Sequence, residues 1–318
     1  MLKWILALSC TLILFSPVSI AQNNADNQTK AILVTGATSG IGLRITEHLS
    51  QQGYFVYAGA RKDKDMARLN KMKNVQAVRL DVNNHEQITA AVKTIEEAGR
   101  GLYGLVNNAG VVVLSPLVEM EEEDFDFQMQ VNLYGPYRIT KAFAPLIMKS
   151  KGRITTISSI SGILSGRFFG AYSMSKHAME AFSDSLAVEM ARFDVKVSVV
   201  EPGNFESKIG DSFLKRFKEK QRSFKGTPYE EDWNGLLKYF ESRQQAADPI
   251  AVAHAVEHAL FNENPKMRYM VVPNQRENDI TLRQQIAELV QLNQQQDYSL
   301  KRDALIKILD EELAKQAE

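Results

Sequence analysis

The stretch Ala31-Ile32-Leu33-Val34-Thr35-Gly36-Ala37-Thr38-Ser39-Gly40-Ile41-Gly42 decides how the rest of the chain is read. Ala31–Thr35 is a short apolar run of strand type, and Ile41–Gln52 carries apolar residues at helical spacing. Between them the glycines follow a G-x-x-x-G-x-G pattern. Glycine lets a backbone turn tightly and come close to a pyrophosphate, which the free N–H groups of the helix opening there can hold. Many strand-to-helix turns contain glycine for conformational reasons alone. At the first such junction of an alternating chain, however, a glycine cluster marks a dinucleotide site. Contacts to a cofactor are expected from Gly36, Thr38, Ser39, Gly40, Ile41 and Gly42.

Outward from this turn the chain keeps alternating. Strands are predicted at Ala31–Thr35, Tyr54–Ala60, Val75–Leu80, Leu102–Asn107, Gly152–Ser158, Val195–Val200 and Met267–Val272. Helices are predicted at Ile41–Gln52, Asn84–Ala98 (opened by an Asn84/Gln87 capping box), Phe125–Lys149 and Tyr172–Arg192. Another begins after Asp248-Pro249, read as an N-cap followed by a first-turn proline. This is the pattern of an α/β fold, a Rossmann-type doubly wound parallel sheet of about seven strands flanked by helices. Asn204–Ala247 holds no strand pattern and is rich in aromatics, including Phe213, Phe217, Phe224, Trp233, Tyr239 and Phe240. An insertion of that length at a strand's carboxyl end is expected to be a helical lid. The domain is placed at residues 31–275, with two polar amphipathic helices, Asp279–Gln295 and Ser299–Ala314, in the segment 276–318.

The 318 residues suffice for a large core, and 38 basic against 38 acidic side chains leave no global field that would favour nucleic acid. The single cysteine, Cys10, lies in the N-terminal segment, so the folded part has no disulfide and no cysteine metal site. Met1–Ala21 has one basic residue, an apolar run from Trp4 to Phe15, Pro17, and a small-residue ending. It reads as a secretory signal peptide, with an uncleaved membrane anchor as the alternative, so the chain is expected to be exported or membrane-anchored. Residues 22–30 form a polar linker.

The second strand ends Ala58-Gly59-Ala60-Arg61-Lys62, without the acidic residue that would hold a ribose 2′-hydroxyl. Arg61 could pair with a 2′-phosphate, so NADP is favoured over NAD. Asp81, beside Val82 after the third strand, either accepts from an adenine amino group or caps its own loop. Tyr172-Ser173-Met174-Ser175-Lys176 sets a phenol and an ammonium one helical turn apart. A nearby ammonium favours the phenolate, so Tyr172 is expected to have a lowered pKa and to exchange a proton with a carbonyl or alcohol oxygen. Ser159, just past the strand Gly152–Ser158, lies at the carboxyl edge of the sheet and could hold that oxygen.

Together Thr35–Gly42 (TGATSGIG), Asn107–Gly110 (NNAG), Asn132, Ser159, Tyr172, Lys176 and Pro202-Gly203 resemble the short-chain dehydrogenases/reductases in order and spacing, from about Lys30 to Val272. The resemblance implies an oxidoreductase that passes a hydride between a nicotinamide and a small-molecule carbonyl or alcohol. It makes Tyr172 the acid/base, Lys176 its electrostatic partner and a ribose ligand, Ser159 the holder of substrate oxygen, and Asn132 part of a water-mediated proton relay. Asn108, Ala109 and Gly110 would line the cofactor site, and Pro202, Gly203 and Ser207 would lie near the carboxamide. Glu180–Leu186 and Val197–Phe205 look like the retinol, 17β-hydroxysteroid and D-β-hydroxybutyrate dehydrogenase branch, from which Arg61 is a departure. The family also implies a homodimer or homotetramer through the Phe125–Lys149 and Tyr172–Arg192 helices.

Other features have plainer readings. His254 and His258 are four apart on a predicted helix, but no third ligand is apparent, and no metal site is expected. The acidic run Glu119–Asp126 reads as the solvated start of a helix. Met174 and Met179 line a substrate pocket or pack in the core. The lid aromatics favour a hydrophobic substrate of retinoid, steroid or fatty-aldehyde type, while its lysines leave room for a hydroxy acid. A catalytically silent nucleotide-binding module is the remaining alternative.

Overall fold

The computed structural model describes residues 30–242 and 246–315. The N-terminal segment 1–21 and most of the linker 22–30 therefore lie outside the described residues. Among the described residues no helix is long and apolar enough to cross a membrane.

Seven strands pair in the order β3-β2-β1-β4-β5-β6-β7, every pairing parallel. They are β1 Ala31–Val34, β2 Phe55–Ala60, β3 Val75–Arg79, β4 Gly104–Asn107, β5 Arg153–Ile157, β6 Lys196–Pro202 and β7 Arg268–Val271. The order reverses between β1 and β4, and the crevice beyond their carboxyl ends is where such sheets bind ligands. Two apolar clusters, one centred on Leu33, Leu105, Phe143 and Ile154 and the other on Ile32, Val34, Val106 and Val200, cover the two faces of the sheet. This sandwiching explains why β1 is apolar at every position instead of alternating.

The helices between the first strands each bury apolar side chains against the sheet. Helix α1 (Gly40–Gln51) buries Ile45 and Leu49, and α2 (Asp63–Leu69) buries Leu69. Helix α3 (His85–Glu97) buries Ile88, Ala91 and Ile95. Only half of its expected capping box forms. The Asn84 side chain accepts from the Gln87 N–H (2.9 Å), whereas the Gln87 side chain reaches the Asp81 N–H instead (2.9 Å).

The helix expected at Phe125–Lys149 is broken. It runs as α4 (Glu122–Met129), a π-turn (Gln130–Tyr134) and α5 (Gly135–Lys149). Pro136 has no N–H to give the carbonyl four residues back, which belongs to Asn132, so the α-helical ladder cannot pass through this point. Helix α6 (Gly170–Ala191) begins slightly before its expected start.

The lid consists of α7 (Ile209–Glu219) and α8 (Glu230–Ser242), and the bridge between Phe205 and Ala247 pins its two ends together. Its aromatics mostly serve a third apolar cluster, in which Trp233 meets Phe168, Phe213, Phe217 and Phe224 at 4.5–6.1 Å between ring centroids. After the lid come α9 (Ile250–Phe261), α10 (Gln275–Asn293) and α11 (Arg302–Lys315). At the start of α9, the Asp248 carboxylate accepts the Ile250 N–H (2.8 Å) while Pro249 occupies the cap itself.

The acidic run does open α4, with Glu121, Glu122, Glu123 and Asp126 exposed, but Asp124 departs from that reading. Asp124 is buried and accepts from Arg216 (2.8 Å), Lys220 (2.9 Å) and Arg222 (3.1 Å), while Glu121 and Glu123 pair with Arg222 and Lys220. Burial acts to raise the Asp124 pKa, but the hydrogen bonds from Lys220 and Arg216 outweigh it and hold the carboxyl below its usual value. Removing one member of such a cluster leaves like charges facing one another. Asp124→Asn is therefore expected to speed hydrogen exchange across α7 by about tenfold, with β1 and β4 unchanged. Equal acceleration throughout the chain would contradict a local clasp.

Candidate active site

The glycine turn is built to bring backbone close to backbone. Gly36 lies at φ 66°, and a Cβ there would sit 2.9 Å from Ala109 Cα. A Cβ on Gly42 would collide with Asn108 Nδ2. Asn108 Nδ2 donates to the carbonyl of Thr35 (2.8 Å), while the N–H groups of Asn108 and Ala109 both donate to Thr35 Oγ1 (2.9 and 3.0 Å). The ends of β1 and β4 are thus tied together under the turn. Ser39, at the head of α1, makes no side-chain cap, and the first turn has no acidic residue. An uncapped, acid-free helix start suits a pyrophosphate. A cleft of about 420 Å³ opens there, lined by Gly40, Arg44, Glu206, Ser207, Lys208 and Asp248. Thr38 belongs to the same turn and Ile41 to the first helical residues.

The other expected cofactor residues divide. Arg61 is exposed at the end of β2, with its guanidinium 3.6 Å from Asp81. Asp81 caps its own loop, accepting the Asn83 N–H at 3.0 Å, so the plainer of its two readings accounts for its contacts. The Val82 side chain is core and packs where Gly135 leaves room, so only its backbone is available to a ligand. Gly110 sits against Asn132. Gly203 is held from behind by α10, whose Glu277 carboxylate accepts the Asn204 N–H (2.8 Å).

Tyr172, Lys176 and Ser159 converge as expected. Ser159 caps a short 3-10 turn (Ile160–Gly162) after β5, and its Oγ lies 3.4 Å from the Pro202 carbonyl. The Tyr172 phenol lies beside Ser159, whose hydroxyl acts to favour the ionised phenol. Lys176 is buried, with Nζ donating to the Ile157 carbonyl (2.9 Å) and lying 5.7 Å from the Tyr172 ring centroid. The electrostatics differ from expectation. Burial raises the Tyr172 pKa, and Ser159 only partly offsets this. The reason is that the ammonium is directed at a main-chain oxygen, leaving the phenol's desolvation uncompensated. Burial also lowers Lys176 to about 8, against the opposing pull of Glu180.

Asn132 lies on the π-turn, and its side chain is fully committed. Oδ1 accepts the Val111 N–H (2.8 Å), while Nδ2 donates to the Val111 carbonyl (2.9 Å) and to Ser175 Oγ (3.1 Å). Gln128, one turn earlier, bonds the Val113 N–H and the Val111 carbonyl in the same way. This ladder between the helix and the segment after β4 was missed, although amides four apart facing an NNAG motif are a visible signal.

The two histidines of α9 have partners of their own. His254 packs edge-on to His48 at 4.8 Å between centroids, and His258 Nδ1 bonds the Tyr269 hydroxyl at 2.7 Å. Met174 is exposed and Met179 is buried in the core.

With this geometry in hand, comparison with known proteins is direct. The family model described as short chain dehydrogenase matches residues 30–216. The chain is 36% identical over 267 residues to the mitochondrial D-beta-hydroxybutyrate dehydrogenase of Bos taurus, covering 76% of each chain. It is 36% identical over 254 residues to retinol dehydrogenase 7 of Mus musculus, covering 76% of this chain and 80% of the relative. Among solved structures it resembles an actinorhodin polyketide ketoreductase with NADPH, at a TM-score of 0.64 and 26% identity, over 77% of this chain and 95% of that one. The sheet order, the glycine turn and these matches agree, and the chain belongs to the short-chain dehydrogenase/reductase family of oxidoreductases.

Proposed function

We propose that this protein interconverts a carbonyl and an alcohol on a hydrophobic small molecule, with NADP as cofactor and Tyr172 as acid/base. The observation that carries the reading is the convergence of a phenol beside Ser159 and a buried ammonium 5.7 Å from its ring, one helical turn away, at the carboxyl edge of the sheet. Mere nucleotide binding needs no such pair.

The cofactor, when bound, supplies or accepts the hydride. The chain's own residues handle the proton. Ser159 Oγ holds the substrate oxygen, and the Tyr172 hydroxyl gives a proton to that oxygen in reduction or takes one in oxidation. Lys176, swung from the Ile157 carbonyl toward the phenol, favours the phenolate. Since the Asn132 side chain is committed to Val111 and Ser175, its part in a relay falls to its main-chain carbonyl, the one that Pro136 deprives of an α-helical donor. Arg61, exposed at the end of β2 where an acidic residue is absent, supports NADP over NAD.

The lid supports an apolar substrate. A cavity of about 330 Å³ at the lid has Val113, Leu114, Phe213, Phe217 and Phe224 in its wall, although Ser159, Tyr172 and Lys176 do not line it. The cations in the same wall, Arg216, Lys220 and Arg222, are already matched by Asp124, Glu121 and Glu123 and are not free to hold a substrate carboxylate. Exposed Tyr134 and Tyr137 along the π-turn and α5 support association of two copies there.

Activity on a panel of long-chain aldehydes, retinoids and steroids, read as NADPH absorbance, tests the reaction. Tyr172→Phe is expected to lower turnover by about a thousandfold with NADPH binding retained. Wild type and variant equally inert, with NADPH bound, would instead leave a silent nucleotide-binding module. Arg61→Ala is expected to lower the preference for NADP over NAD by about tenfold. An unchanged ratio would remove Arg61 from cofactor choice.

A further inference from the structure

Behind the catalytic turn lies a second group of ionisable side chains that the reaction as described does not use. Glu180 follows Lys176 by one turn of α6, and Glu201 stands on β6 directly before Pro202. Glu201 is buried, and the Glu180 carboxylate oxygens and Glu201 Oε1 are all buried without a hydrogen-bond donor. The Glu180 carboxylate presses on the turn that carries Ser159, since a Cβ on Gly162 would lie 2.7 Å from Glu180 Oε1. Both carboxylates turn toward one cation. Arg268 Nε on β7 is 3.4 Å from Glu180 Oε2 and 3.4 Å from Glu201 Oε1, while its Nη2 is bonded to Asp184 at 2.8 Å. The charged groups facing the pair are therefore Lys176 and Asp184 on α6 and Arg268 on β7.

Two buried carboxylates that both lie 3.4 Å from one guanidinium nitrogen, with that guanidinium already committed to Asp184, are not both ionised. One proton between them supplies the donor that their buried oxygens lack. Resting on the reading that Tyr172 and Lys176 run the chemistry, we propose that Glu180 is a positioning residue: with Glu201 it forms a proton-sharing pair of single negative charge that keeps the buried Lys176 ammonium charged. Burial and the neighbouring Glu180 push Glu201 up to about 8, in keeping with Glu201 holding the proton. Glu180 in turn opposes the desolvation of Lys176. The chain of influence runs from Arg268 through the pair to Lys176, and from there to the phenol.

The direct test is nitrogen NMR of the Lys176 amine, which needs no turnover. In the wild type its titration midpoint is expected near 8. Glu180→Gln should lower that midpoint by about one unit and move the rising limb of alcohol oxidation to higher pH, with Glu180→Asp restoring much of both. An unmoved midpoint in folded Glu180→Gln overturns the proposal. If Tyr172→Phe remains active the assignment of the acid/base fails, whereas an inactive Tyr172→Phe beside an unmoved Lys176 sinks only the role of Glu180.

Should Glu180→Gln not fold, thermal stability of the wild type against Glu201→Gln decides. A carboxyl with its folded pKa raised from 4.5 to about 8 binds more protons in the native state between those values. Its stabilisation is complete below the unfolded pKa and is lost as pH rises through the folded one. Wild type should therefore lose stability relative to Glu201→Gln from about pH 4.5 to about pH 8. Parallel curves across that window would mean that no proton is shared and the pair does not exist.

Discussion

A buried ammonium is costly in any protein, and here the site depends on one. Lys176 reaches inward from α6 to the carbonyl at the end of β5, where solvent is excluded and water cannot stabilise its charge. What makes the position tolerable is the arrangement around it: a main-chain oxygen in contact, the Glu180 carboxyl one turn away, and a tyrosine whose ionised form would be a natural partner. The parallel sheet supplies the contact, since β5 ends at Ile157 beside β6, and α6 packs back against β6. The same end of the sheet carries Ser159 and Pro202, so Ser159 and the loop after β6 are fixed by one edge.

The resting geometry has a consequence for the chemistry. With Nζ held by Ile157, the ammonium does little for the phenol, and burial prevails in both groups: Tyr172 is raised and Lys176 is lowered. Each shift disfavours charge. Phenolate and ammonium can nevertheless relieve one another if the lysine reorients, because a paired charge escapes the desolvation that an isolated one suffers. Catalysis in this account uses a modest side-chain movement and no change in fold.

Most of the architecture was legible because it rests on local signals. Continuous apolar runs separated by helical patterns fixed the parallel sheet, and the glycines before Ile41 marked the crossing point of the strand order. Tyr172, Lys176 and Ser159 were findable because their spacing and their place after β5 are both written in the chain. What escaped notice depends on partners far away in sequence. Asp124 looked like one acid among several at a helix start, but the cations that bury it come from the lid, more than ninety positions later. Nothing in the local pattern singled out Glu201 before Pro202, and only the return of β7 with Arg268 shows its place in a buried charge cluster. The π-turn is an intermediate case, since Pro136 announced a break that a long apolar periodicity concealed. The lid aromatics suggested a binding surface, and the structure uses many of them to give the lid a core of its own.

The central claim is that the Lys176 ammonium makes Tyr172 an acid/base near neutral pH. Ultraviolet titration of the phenolate with NADPH bound, with Tyr172→Phe as the difference reference, measures this directly when wild type is compared with Lys176→Met. The account predicts that the wild-type phenolate appears at a pH lower by about two units. A phenol that titrates at the same pH with and without the ammonium would contradict it.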